Sequence, residues 1–100
     1  MEKKLAAWLL QRKLARGVDE ALAYAAALLQ GQFPEEMFAA NERNVNVMKD
    51  IGKITREKFE PYIMEKVATA QKMIAFWEEN PKDTNAIFFN KTYQQNFGEA

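Results

Sequence analysis

Residues 21–29 read Ala-Leu-Ala-Tyr-Ala-Ala-Ala-Leu-Leu, nine positions without a charged side chain. Alanine and leucine are the strongest helix formers, so the stretch predicts a helix. Asp19 offers an N-cap before it and Gly31 a stop after it, which sets the helix over about 19–30. A helix with no polar face needs cover on every side. The expectation is therefore that this segment is the most buried of the fold, enclosed by its neighbours, with the helix that follows Pro61 packed against it.

Upstream, Leu5, Trp8, Leu9, Leu10 and Leu14 recur at helical spacing and predict a helix over about 2–16. Gly17 closes it, and Lys13 and Arg16 complement the negative end of its last turn. Downstream, Pro34 followed by Glu35 and Glu36 opens a third helix over about 34–51. Its apolar stripe is Met37, Phe38, Val45, Met48 and Ile51.

The strongest periodicity is Phe59, Ile63, Val67, Ala70, Ile74 and Trp77, which step by three or four and predict a helix ending at Asn80-Pro81. An unbroken helix over 55–79 is about 37 Å long. A compact chain of this length has a radius of gyration near 13 Å, so the expectation is a break at Pro61, with 55–60 as a separate turn. The tail, 82–100, carries Ile87, Phe88, Phe89, Tyr93 and Phe97, too many apolar groups to stay in water. Phe89, Tyr93 and Phe97 suit one face of a short helix, while Ile87–Phe89 is the one place that tolerates a strand. The fold class is all-α, a single domain of four main helices (about 2–16, 19–30, 34–51 and 55/61–79) with a docked aromatic C-terminal segment.

The chain has neither cysteine nor histidine. Disulfides, thiolate metal sites and imidazole acid–base chemistry are thereby excluded. Serine is also missing, which leaves four threonines without an imidazole to activate them. The carboxylate pairs Glu35/Glu36, Glu57/Glu60 and Glu78/Glu79 lack the Glu-x-x-His ligands of di-metal sites and read as helix-end charges. No glycine-rich phosphate loop is present. The reading is a non-enzyme without catalytic, cofactor or metal residues and with no small-molecule substrate. No stretch approaches a membrane span, no targeting segment stands out, and the expected compartment is the cytoplasm.

Fourteen basic side chains balance fourteen acidic ones, so the whole chain has no electrostatic pull toward nucleic acid or anionic lipid. Residues 1–17 nevertheless carry +4, leaving −4 on the rest. Aromatic side chains dominate interface energetics and arginines steer encounter. The predicted function is a protein–protein interaction module, an accessory, adaptor or inhibitor protein of the kind mobile elements such as phages carry, binding a protein partner or itself as an oligomer. Its predicted contact residues are Trp8, Arg12, Arg16, Phe88, Phe89, Tyr93 and Phe97. The alternative is a nucleic-acid-binding regulator that reads base edges with Asn41, Arg43, Asn44, Asn46 and Lys49 of the third helix.

Overall fold

In the computed structural model, which describes residues 1–98, the enclosed segment is residues 5–9 rather than 21–29. Helix α1 (Glu2–Gln11) buries Leu5, Ala6, Ala7, Trp8 and Leu9 in succession, which covers every side of it. Helices α2 (Val18–Leu29), α5 (Arg56–Glu79) and α6 (Thr84–Phe97) surround it. In α2 only Ala21, Tyr24, Ala25 and Leu28 are buried, and Ala23 is exposed. Its main neighbour is α1, not α5 as expected. The reason is size. A buried leucine or tryptophan removes far more apolar area from water than an alanine does, so α1 gains more from the centre. An alanine-rich face left half-covered forfeits little.

Helix α1 stops at Gln11, five residues before the expected end near Arg16. The chain turns at Lys13, which takes a left-handed conformation with φ of 62°. The Leu14 N–H donates to the Leu9 carbonyl at 2.9 Å and the Lys13 N–H to that of Leu10 at 3.1 Å, the paired bonds of a Schellman end. Leu14 and Ala15 then turn inward and are buried. Gly17 is not the stop but the extended N-cap of α2, with φ of −156°.

The expected third helix is two helices. Helix α3 (Glu35–Asn41) and α4 (Val45–Ile51) meet at a break where Asn44 caps α4, its side chain accepting from the N–H groups of Asn46 and Val47. Asparagine competes for backbone groups and favours such ends. The break resets the register. Met37 and Val47 are buried, whereas Val45 and Met48 of the expected stripe are exposed.

Pro61 does not break α5. The helix begins at the Thr55 cap, so Pro61 lies in its second turn and removes only the bond to the Glu57 carbonyl. Both residues are exposed, so the carbonyl that loses its donor is open to solvent. All six stripe residues from Phe59 to Trp77 are buried. A 24-residue helix is about 36 Å long, which matches the 38 Å long axis; the radius of gyration is 13.3 Å. Length along one axis is compatible with a small radius because the other two axes are only 24 and 23 Å.

The tail is helix α6, capped by Asp83 and helical through Ile87–Phe89. Ala86, Phe89 and Tyr93 face the core, and the Phe89 ring lies 4.9 Å from that of Trp77. It is docked on α1 and α5 of its own chain.

Candidate functional site

A groove runs where α6 meets α5 over the end of α1. Trp8, Ala70 and Trp77 form its floor, and all three are buried. Met73 from α5 and Phe88 from α6 stand on its walls, 39% and 64% exposed. Phe76, three residues beyond Met73 and so beside it on the helix surface, is 51% exposed. The periodicity of α5 explains this placement. The six-residue stripe already fills the core side, so Met73 and Phe76, one position off it, fall outside. On α6 the Phe89 and Tyr93 face turns inward and carries Phe88 outward.

The charged side chains lining the groove are Arg12 and Lys66, both positive. The Arg12 guanidinium lies 5.6 Å from the centre of the Trp8 ring and the Lys66 ammonium 5.5 Å from that of Tyr62. These are cation–π contacts. Neither group forms an ion pair among the described residues. Beside them, the Tyr62 hydroxyl donates to the Asp50 carboxylate. Burial, and then that bond, push the Tyr62 hydroxyl up to about 12.

A second, shallower hollow lies between the outer face of α2 and the segment leading into α3. Ala23, Ala27, Phe33 and Pro34 supply apolar lining, and Asp19 and Glu36 stand on its rim. Neither acid is ion-paired among the described residues. A third rim acid, Glu20, is held by Arg16 at 2.7 Å, and this contact draws its carboxyl below the usual range.

The predicted contact residues therefore divide. Phe88 and Arg12 share the groove, with Trp8 beneath them as floor. Phe89 and Tyr93 are core residues, 1% and 7% exposed, and Phe97 is half-buried with its ring 5.4 Å from that of Tyr93. Trp8, Phe89 and Tyr93 were expected at the surface, and the packing of α6 against α1 and α5 takes them inside. Arg16 lies beyond the end of α1, so it does not share a helix face with Arg12. Lys66, Met73 and Phe76 were not among the predicted contacts. Their signal was present as apolar or basic positions just outside the α5 stripe.

The base-reading set is dismantled. Asn41 is 2% exposed, and its amide donates to the carbonyls of Leu14 at 3.1 Å and Met37 at 2.8 Å. Asn44 donates to the Asn41 side-chain oxygen at 2.8 Å and to the Lys13 carbonyl at 3.1 Å. Two of the five residues thus clasp the corner after α1. Arg43, Asn46 and Lys49 are exposed but are spread over a turn and a separate short helix.

Among the described residues no group of three acidic side chains is placed to hold a metal ion, and no helix is long and apolar enough to cross a membrane. Comparison with protein-family models, with curated proteins and with solved structures finds no match to this chain.

Proposed function

We propose that this chain is a non-enzymatic protein-binding module whose contact surface is the groove between α5 and α6. The observation that carries the reading is the exposure of Met73, Phe76 and Phe88 around one tryptophan-floored groove, while the rest of the aromatic side chains serve the core or its edge. Apolar side chains grouped about a concave, partly aromatic surface are the usual anchor of a protein interface. Arg12 and Lys66 give that surface a positive rim, which selects a partner with carboxylates beside its apolar contact. Action by occupying a surface suits an accessory, adaptor or inhibitor protein, and cytoplasmic location is part of the same proposal.

The test is position-specific photo-crosslinking in extract of the cells that make the chain. A photoreactive residue at Phe88 is expected to give a discrete adduct, and one at exposed Glu65 is not. The adduct should be lost when Arg12 and Lys66 are both replaced by glutamate. Equal labelling from both positions, or an adduct indifferent to the charge reversal, overturns the reading.

A further inference from the structure

Two concave surfaces of this molecule carry opposite charge, and among the described residues only Glu20 of their charged lining is ion-paired, by Arg16, while Asp50 lies in a separate hollow next to Arg12 and Lys66. Arg12 and Lys66 flank the groove beside the protruding Phe88 and Met73. Asp19 and Glu36 flank the hollow lined by Ala23, Ala27 and Phe33. Two cations without an ion pair among the described residues, beside an apolar projection, thus answer two such anions around an apolar recess, on a chain whose net charge is zero.

We propose that the groove is occupied by a second copy of this chain, docked head to tail, with Phe88 and Met73 of one copy seated in the Ala23–Phe33 hollow of the next. The proposal rests on the protein-binding reading above and names the partner. Charge decides the geometry. A two-fold contact of groove on groove gathers four cations, and one of hollow on hollow gathers four carboxylates besides the two held by Arg16, so like charges oppose both. Groove on hollow pairs each cation with an anion. The two surfaces share no residue and lie on different helices, α1, α5 and α6 against α2 and the start of α3. Such a heterologous contact leaves a free groove at one end and a free hollow at the other, so copies add serially until a ring closes. The charges sit at rims in contact with water, so salt weakens the contact.

The experiment is sedimentation velocity on the full chain across a range of concentrations. The wild-type chain is expected to show species larger than a dimer at low salt, with average mass falling as salt rises from about 0.05 to about 0.5 M. Phe88→Ser and Ala23→Arg alter exposed positions, and each alone is expected to give a monomer with unchanged helicity and melting. Phe88→Ser should weaken association by at least about thirtyfold, as loss of an interface anchor does. Mixed one to one, the two variants retain one intact groove and one intact hollow between them and should form a dimer that grows no further. A wild-type chain that stays monomeric, a Phe88→Ser chain that associates undiminished, or a mixture that stays monomeric overturns the proposal. In those cases a charge-dependent crosslink from position 88 to a different protein leaves the protein-binding reading standing.

Discussion

Helices α1 and α2 end in the same backbone turn built on different residues. After α2 the chain passes through Gly31 at φ of 77°, with Gln32 donating to the Ala27 carbonyl and Gly31 to that of Leu28. After α1 it passes through Lys13 at φ of 62°, with the equivalent bonds to Leu9 and Leu10. Glycine takes that conformation freely, whereas a side chain crowds the following carbonyl at a cost of about 1–2 kcal/mol. The Lys13 corner persists because it is clasped from outside, through its own carbonyl by Asn44 and through that of Leu14 by Asn41. Backbone preference closes one turn, and a long-range side-chain clasp closes the other.

The largest expected effect comes from removing the clasp. Asn41→Ala strips a buried amide from the Leu14 and Met37 carbonyls and from Asn44, and should destabilise the fold by about 2–3 kcal/mol in urea unfolding. A loss below about 0.5 kcal/mol breaks the comparison, because the corner then holds without help. Next come the two turn residues, which should respond with opposite signs. Gly31→Ala places a methyl group where nothing lies within 4 Å, so its cost is conformational alone, about 1–2 kcal/mol. Lys13→Gly should stabilise by about 0.5–1 kcal/mol, the steric relief less the entropy of a freer unfolded chain. Thermal unfolding of both variants checks this, and equal signs show that the two turns differ in more than their residue.

The smallest effect is titratable and belongs to the first corner only. Glu20 accepts the Arg16 backbone N–H at 3.0 Å as well as its guanidinium, and these contacts lower its carboxyl. A carboxyl lowered in the folded state adds stability that is present above the ordinary carboxylate range and lost as pH falls through the folded value. Urea unfolding should therefore find Glu20→Gln slightly less stable than the wild type near neutrality, with the two converging at low pH. The pair is largely exposed, so the difference is small. A difference that grows toward low pH contradicts the assignment.

Legibility in the sequence followed the range of the interaction. The α5 stripe was readable because six residues repeat one local period, and the helical fold class followed from such periods. That Phe89, Tyr93 and Phe97 share one helix face was readable for the same reason, since they step by four, but not that Phe89 and Tyr93 turn inward. The ranking of α1 above α2 at the centre was not. Residues 5–9 and 21–29 are both uncharged, and only packed volume separates leucine and tryptophan from alanine. The roles of Asn41 and Asn44 were hidden because their acceptors, Leu14 and Lys13, lie about thirty positions away. At the candidate site, Phe88 and Arg12 were named from the sequence and line one groove, but which aromatics face inward depended on α1 filling the space beneath α6.

That space has a consequence for biogenesis. Residues 5–9 leave the ribosome well before α6, yet α6 is part of their cover. At synthesis rates of about 5–20 residues per second, several seconds separate the two. During that interval the segment that ends at the centre of the fold lacks part of its cover, which ties its full enclosure to completion of α6.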